Sequence, residues 1–259
     1  MKPLILITND DGIDSPGILA AAKAVKRLGD LLVVAPMYQQ TGMGRSFPRS
    51  KEQGIIKKRK LNLGDEIITG YGVIGSPAHA VVHGIFEIAD RLPDLCISGI
   101  NYGENLGTVI TCSGTVGAVL EASCHGVPGI AVSRQADIKT HRSADYAELN
   151  WGKEIIVTSQ WAEKVLHQGM PKNAEMININ IPYQIESDVP YRITRQSRQN
   201  YFEFVKPKNR DFGKAYEMVW KVKYDSEEEG PDTDIHAVCV EKTVSVTPLS
   251  WDMSRCYFI

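Results

Sequence analysis

The sequence lacks the long apolar runs that mark membrane proteins. Its apolar runs, such as Leu4–Ile7 and Leu31–Ala35, have the length of core strands and are far too short to span a bilayer. A single Lys2 precedes the first of them, and that run is also too short for the apolar region of a signal peptide. We therefore expect a cytoplasmic protein that does not enter a membrane.

Paired cysteines and an excess of one charge are also missing. The five cysteines are scattered and form no CxxC pair, so neither a zinc knuckle nor a thioredoxin-like site is supported. The 29 basic and 31 acidic residues leave a net charge of -2. Broad nucleic-acid binding needs a basic surface, so no stable nucleic-acid complex is expected.

The sequence does contain an alternation of short apolar runs and helical segments as far as about Ser133. Lys2–Thr8 is predicted to be a buried strand, Ser15-Pro16 opens a helix, and Leu31–Ala35 is the second strand. With 259 residues, the chain is long enough for one domain with a sizeable core. We predict an α/β fold over residues 1–259, with a doubly wound, mostly parallel, Rossmann-like sheet.

Three segments depart from this alternation. Residues 43–70 are largely polar and basic with strand-like pieces, which predicts a hairpin or flap inserted in the α/β unit. Residues 143–168 are predicted to form one longer helix. From about Pro190 the pattern is mostly β, and residues 225–259 are expected to form a β-rich C-terminal arm that packs on a partner subunit.

Polar loops follow three of the predicted core strands. They are Asn9–Gly12, Gln39–Gly44 and Ser98–Gly107. In a doubly wound sheet, ligands bind beyond the carboxyl ends of the strands, so these loops are expected to meet at one edge. A fourth segment, Ser113–Thr115, opens a helix, and backbone N–H groups at a helix N-terminus can bind an anion. Plain helix capping is the alternative there.

The residue types in these loops favour a hard divalent cation. Asp10 and Asp11 offer carboxylates, Thr41 a hydroxyl and Asn101 an amide oxygen, a set that suits Mg²⁺, Mn²⁺ or Ca²⁺ better than zinc. A bare aspartate pair is often only a turn or a cap, but this pair ends an apolar strand. A cation beside an anion cradle is the arrangement that phosphoryl-ester hydrolysis requires.

A glycine pattern indicates an alternative function. Gly70–Gly75 matches GxGxxG after a predicted strand and before a helix, as in a dinucleotide-dependent oxidoreductase. However, that helix is predicted to open at Ser76-Pro77, after the third glycine, whereas the fingerprint glycines lie within the turn and the first helical turn. A second alternative is a metal-dependent nucleotide-binding or sensory protein without turnover.

Several stretches together resemble the stationary-phase survival protein (SurE) family of metal-dependent nucleotidases. The NDDG and SGINxGxN motifs, at this spacing, are highly specific, and the resemblance covers nearly the whole chain. The matching stretches are ILITNDDGIDSPGI at 5–18, VVAP at 33–36, GSPAHAV at 75–81, PDLCISGINYGENLG at 93–107, SGTVGA at 113–118 and SVTPL at 245–249.

The resemblance implies both an activity and an assembly. It implies hydrolysis of nucleoside 5′- and 3′-monophosphates, sometimes with activity on short polyphosphate. It also implies a swapped C-terminal arm and homodimers or homotetramers built partly through a hairpin. One divalent cation per subunit is expected.

The resemblance also assigns the site residues. Asp10, Asp11, Thr41 and Asn101 would hold the metal, and Asp10, Asp11 and Asn9 would be catalytic. The residues that would face the phosphate are Asn9, Gly42, Ser113, Gly114 and Thr115.

The chain departs from the family pattern at four positions. Thr41 replaces the usual serine, which keeps the hydroxyl but adds a methyl group. Cys112 stands where a tyrosine is expected, Ser76 where threonine is frequent, and His79 where aspartate is frequent. The last three are expected to affect the shape of the pocket and not the metal ligands.

Overall fold

An apolar strand at the centre of the main sheet carries the first polar loop. All five residues of β1 (Leu4–Thr8) are buried, and β1 pairs in parallel with β2 (Asp30–Pro36) on one side and β5 (Leu95–Tyr102) on the other. The computed structural model describes residues 1–137, 149–185 and 189–254. Because β1 is central and fully buried, the chain that leaves its carboxyl end is fixed by the core.

Besides β1, β2 and β5, the main sheet contains β3 (Ile56–Asn62), β4 (Ile67–Val73), β6 (Gly129–Arg134), β7 (Met176–Ile181), β8 (Tyr191–Ile193) and β11 (Val244–Leu249). Within the described ranges the sheet has nine strands in the order β3-β4-β2-β1-β5-β6-β7-β11-β8. Six of them run parallel to one another: β4, β2, β1, β5, β6 and β7. The predicted α/β fold with a mostly parallel sheet is confirmed.

Helices cover both faces of this sheet. One apolar cluster contains residues of α1 (Pro16–Val25) and α4 (Gly152–Gln168), and a second contains residues of α2 (Pro77–His83) and α3 (Gly114–Cys124). Shorter helical turns span Gly84–Ile88, Gly107–Thr111 and His236–Val240. Among the helices in the described ranges, none is both long enough and apolar enough to cross a membrane.

Serine caps and prolines start the first two helices, as the sequence indicated. The Ser15 hydroxyl accepts a hydrogen bond from the N–H of Ile18 at 3.4 Å, and Pro16 occupies the first turn. Ser76 and Pro77 do the same for α2. The serine hydroxyl accepts a backbone N–H that has no partner within the helix, and proline has no N–H that would need one. The positions of the helix starts therefore follow from local sequence.

The inserted hairpin belongs to the main sheet. β3 pairs antiparallel with β4, and β4 pairs in parallel with β2 through residues 33–36 and 70–73. Residues 56–73 therefore extend the sheet at its edge and do not form a separate flap. The parallel pairing of β4 with β2 joins strands that are distant in sequence, which local patterns do not reveal.

The C-terminal segment contributes a strand to the main sheet of its own chain. β11 lies between β7 and β8, antiparallel to the first and parallel to the second. Exchange of the 225–259 arm with a partner stays a prediction, and residues 255–259 lie outside the described ranges. The helix predicted over 143–168 is observed as α4, which begins at Gly152. Residues 149–151 precede the helix, and residues 143–148 lie outside the described ranges.

A separate two-stranded sheet follows β8. β9 (Phe202–Phe204) pairs antiparallel with β10 (Trp220–Val222). The segment between residues 105 and 111 holds this hairpin to the body: the N–H of Thr108 donates to the carbonyl of Gln199 at 3.0 Å. A β-carbon at Gly107 would lie 2.4 Å from that same carbonyl oxygen. Only glycine permits this approach.

The first helix packs against β5 at a distance that only glycine allows. A β-carbon at Gly17 would lie 2.0 Å from the carbonyl oxygen of Ile100.

We expect Gly17→Ala to push α1 away from β5 and lower the free energy of unfolding by about 1–3 kcal/mol, the usual cost of overpacking. Urea denaturation measures the change. Gly213→Ala is the control, since only a side-chain oxygen at 3.4 Å lies near its β-carbon; equal stability of the two variants would contradict the packing argument.

Candidate active site

Five predicted site residues from four parts of the chain line one cleft of about 810 Å³: Asp10, Thr41, Gly42, Asn101 and Ser113. Asp10 follows β1, Thr41 follows β2, Asn101 lies near the end of β5 and Ser113 caps α3. The convergence of the loops that the sequence predicted is therefore observed. Asn101 differs in one respect, because it lies within β5, which continues to Tyr102 beyond an irregularity between Ser98 and Asn101.

Asp10 is held by the first turn of α3. The Thr115 hydroxyl donates to Oδ1 of Asp10 at 2.6 Å, and the Thr115 backbone N–H donates to the same carboxylate. A β-carbon at Gly114 would lie 2.8 Å from Oδ2 of Asp10. Glycine at 114 therefore lets the positive end of the helix dipole approach the carboxylate directly.

Asp11 is equally buried but is held from the other side. Both aspartates are 2% exposed. The N–H of Tyr102 donates to Oδ2 of Asp11 at 3.4 Å, and the Gln39 amide reaches Oδ1 at 3.5 Å. Burial raises the pKa of Asp10, and burial together with the negative charge of Asp10 raises the pKa of Asp11. Two carboxyl groups held out of water in this way are both ionised near neutral pH only when a positive charge lies beside them.

The oxygen donors around this pair fit a hard divalent cation. The Asn101 amide nitrogen donates to the carbonyl of Gly103, which leaves the amide oxygen of Asn101 as the atom available to a ligand. Thr41 and Gly42 line the same cleft from the loop after β2. Two carboxylates, a hydroxyl and an amide oxygen are the ligand types of Mg²⁺, Mn²⁺ and Ca²⁺.

The side chain of Asn9, which was expected to bind phosphate, forms its hydrogen bonds within its own loop. Its side-chain amide donates to the carbonyl of Gly12 at 3.0 Å and to the hydroxyl of Ser15 at 2.7 Å, while its oxygen accepts from the N–H of Gly12 at 3.1 Å. Both amide hydrogens are therefore used inside the loop. This arrangement fixes the Asp10–Asp11 turn onto the start of α1.

The helix start at Ser113 is the part of the predicted phosphate cradle that faces the cleft. The Ser113 hydroxyl oxygen accepts from the N–H of Val116 at 3.1 Å, so its hydrogen is left to donate to a ligand. Thr115, in contrast, uses its hydroxyl on Asp10. Of the predicted phosphate-binding residues, Gly42 and Ser113 line the cleft, whereas Thr115 lies behind Asp10.

An asparagine network that sequence reasoning missed supports the far side of the cleft. The carbonyl of Asn105 accepts from the side chains of Asn178 and Asn180, at 2.9 and 3.0 Å, and its N–H donates to the Asn180 side chain at 2.7 Å. The alternation of asparagine and isoleucine in β7 is the sequence feature that could have indicated this network. Buried amides in a core strand need partners, and here they hold the loop after β5.

A second group of cleft residues was also missed. Six residues of the β9–β10 region line the cleft: Asn200, Phe202, Glu217, Met218, Val219 and Trp220. No motif marks them, and they lie far along the chain from the predicted polar loops. The signal that the sequence offered was the aromatic and apolar character of Tyr201–Val205 and Met218–Val222.

The GxGxxG match is not a dinucleotide-binding turn. Gly70 and Gly72 lie within β4, paired with β3 and β2. A β-carbon at these positions would lie 2.6 Å from Leu61 and from Met37, respectively. The glycines therefore make room for side chains on the sheet, and the interpretation as a dinucleotide fingerprint is wrong.

At the carboxyl edge of the parallel sheet, a buried aspartate pair lies next to a helix N-terminus. These features place the chain in the class of α/β proteins that bind ligands at the ends of their strands. The family model described as Survival protein SurE matches residues 5–203. The chain belongs to this family.

Comparisons with individual proteins agree with this family membership. A protein of Methanosarcina barkeri named 5′-nucleotidase SurE is 41% identical over 97% of this chain and 93% of its own length. A protein of the same name from Methanocaldococcus jannaschii is 38% identical over 96% of this chain and 92% of its own length. The crystal structure of the SurE protein from Aquifex aeolicus matches with a TM-score of 0.76 and 31% identity, over 98% of this chain and 95% of that one.

The contacts of Asn9 predict an effect on stability that a pure phosphate ligand would not have. Asn9→Ala removes the partners of Gly12 and Ser15, so we expect the ligand-free protein to lose about 1–3 kcal/mol of unfolding free energy. Urea or thermal unfolding measures it. Asn209→Ala, at an exposed position, is the control. Unchanged stability of Asn9→Ala would show that the side chain does not hold the loop.

Proposed function

We propose that the chain is a metal-dependent 5′-nucleotidase that hydrolyses the phosphomonoester bond of nucleoside monophosphates. The observation that carries this proposal is that Asp10, with Asp11 buried beside it, lines the same cleft as Ser113 at the N-terminus of α3. Relatives with about 40% identity over nearly their full length bear the name 5′-nucleotidase SurE. Site and family therefore support the same reaction.

We propose that Asp10, Asp11, Thr41 and Asn101 hold one divalent cation per subunit. Their oxygen atoms are of the types that Mg²⁺, Mn²⁺ and Ca²⁺ bind, and Mg²⁺ or Mn²⁺ is the proposed natural metal. When bound, such a cation supplies charge that polarises the phosphoryl group and makes water more acidic. It also offsets the mutual repulsion of the two buried carboxylates.

The protein's own groups orient and stabilise the substrate. Ser113 and the first N–H groups of α3, including that of Gly114, donate to the phosphoryl oxygens and take up the charge that develops on them. An aspartate carboxylate accepts a proton from the water that attacks phosphorus in line. The P–O bond to the sugar breaks on the opposite side, and the nucleoside oxygen takes up a proton and leaves as the alcohol. Asn9 and Thr115 act through the loop and through Asp10, respectively, so we assign them as positioning residues.

The finer features remain proposals. Hydrolysis of nucleoside 3′-monophosphates and of short polyphosphate is proposed from the family resemblance. A homodimer or homotetramer, a swapped C-terminal arm and a cytoplasmic location belong to the same set. Each needs its own measurement, since none of them follows from the contacts within one chain.

A nucleotide-binding or sensory protein without turnover is the second candidate. The departures at Thr41 and Cys112 favour it, because both residues line the cleft. Phosphate release over many turnovers separates the two functions. A binding protein would release at most one equivalent of phosphate per chain, whereas an enzyme continues until the substrate is consumed.

The first prediction concerns the metal. We expect the protein to release phosphate from nucleoside 5′-monophosphates with Mg²⁺ or Mn²⁺, and excess chelator to abolish the release, because the buried carboxylates then lack their counter-charge. A colorimetric phosphate assay over a panel of nucleotides measures this. Full activity in chelator would contradict the metal assignment, and activity that returns when metal is restored excludes damage to the protein.

The second prediction concerns Asp11. Asp11→Asn keeps the shape but removes a carboxylate, and we expect turnover to fall by about 10²- to 10⁴-fold. The unfolding temperature in chelator should stay equal or rise, because asparagine removes a buried carboxyl group whose ionisation is opposed by burial and by Asp10. Asp14→Asn, on the same loop but with an exposed side chain, is the matched control. An active Asp11→Asn enzyme would contradict the assignment.

A further inference from the structure

The cleft that contains Asp10 and Ser113 continues onto an apolar surface built by the β9–β10 hairpin. Phe202 and Trp220 line this end together with Met218 and Val219. Trp220 is 36% exposed, Met218 50% and Val219 52%. Apolar side chains left open inside a cleft whose other end is polar indicate a ligand with one anionic and one flat apolar end.

The pairing of the two strands explains why aromatic residues share one face. Trp220 lies opposite Phe204, and Val222 lies opposite Phe202, so these four side chains project to the same side of the hairpin. The rings of Phe204 and Trp220 meet edge to face with their centroids 5.4 Å apart. Glu203 and Lys221 lie on the opposite face and form an ion pair at 2.8 Å.

Hydrogen bonds fix the position of the hairpin relative to the catalytic end. The turn Gly107–Thr111, which leads directly to Ser113, binds the residues before β9: the Thr108 hydroxyl donates to the Asn200 side chain at 3.3 Å. The Gln196 side chain donates to the carbonyl of Gly107 at 3.0 Å. The apolar surface is therefore anchored to the segment that carries the phosphate cradle.

We propose that Phe202 and Trp220 form the nucleobase subsite of this enzyme and determine its preference for nucleotides over simple phosphate esters. A nucleobase has two apolar faces, and an aromatic side chain binds such a face by stacking with little dependence on the base. The inference rests on the proposed function, because it takes a nucleoside monophosphate as the molecule whose phosphate binds at Ser113.

The test compares two substrates that differ only in the base. AMP and ribose 5-phosphate share the sugar and the phosphate, but ribose 5-phosphate lacks adenine. We expect Trp220→Ala and Phe202→Ala each to lower the ratio of kcat/KM for AMP to that for ribose 5-phosphate by about tenfold to a hundredfold. Trp220→Phe keeps an aromatic ring and is expected to retain most of the ratio.

Lys221→Ala is the matched control, since it changes the neighbouring residue on the opposite face of the same hairpin. It should leave the ratio unchanged. Equal losses with both substrates in Trp220→Ala would overturn the proposal. So would a change in molecular mass in solution with no change in the ratio, because the surface would then be a contact between copies of the chain.

A binding measurement separates this proposal from the proposed function. Adenosine, which has no phosphate, is expected to quench the tryptophan fluorescence of the wild-type protein, and the quench is expected to be lost in Trp220→Phe. Absence of phosphate release from every substrate would refute the nucleotidase, while the adenosine quench would still decide the subsite. Quenching that persists in Trp220→Phe would refute the subsite alone.

Discussion

Two neighbouring carboxylates that are held out of water at the end of β1 determine how the rest of this protein is built. Asp10 and Asp11 are each 2% exposed, and charges in such a place are costly unless other groups compensate them. The compensation comes from separate elements: α3 supplies the hydroxyl and the N–H of Thr115, and β5 supplies the N–H of Tyr102. A divalent cation, which we propose to bind here, would supply positive charge to both carboxylates.

Close approach between elements is the second requirement, and glycine meets it. Gly114 brings α3 against Asp10, while Gly17 brings α1 against the strand that carries Asn101. A side chain at either position would separate groups that must act together, because a β-carbon would overlap atoms of the neighbouring element. The loops of the site are therefore positioned by the packing of the core, and their own hydrogen bonds, such as those of Asn9, complete the arrangement.

The sequence predicted the parts of the molecule that depend on local patterns. The apolar run of β1, the serine caps and the oxygen donors at the ends of strands all act within a few residues. What it could not predict depends on contacts across the chain. Asn9 resembles a ligand until its amide hydrogens are traced to Gly12 and Ser15. The glycines of 70–75 resemble a phosphate loop until β4 is seen to pair with β2.

The two ends of the cleft differ in how they are supported, and this difference bears on how specificity arises. The end of the cleft that contains Asp10 and Ser113 stands on the central strands and on helix α3, whose positions are set by a fully buried core. The apolar end stands on a two-stranded hairpin outside the main sheet, held by a few hydrogen bonds to the Gly107–Thr111 turn. Residues of such a hairpin can change with little cost to the core. The proposed catalytic residues and the proposed base subsite therefore lie on structural elements that tolerate substitution to different degrees.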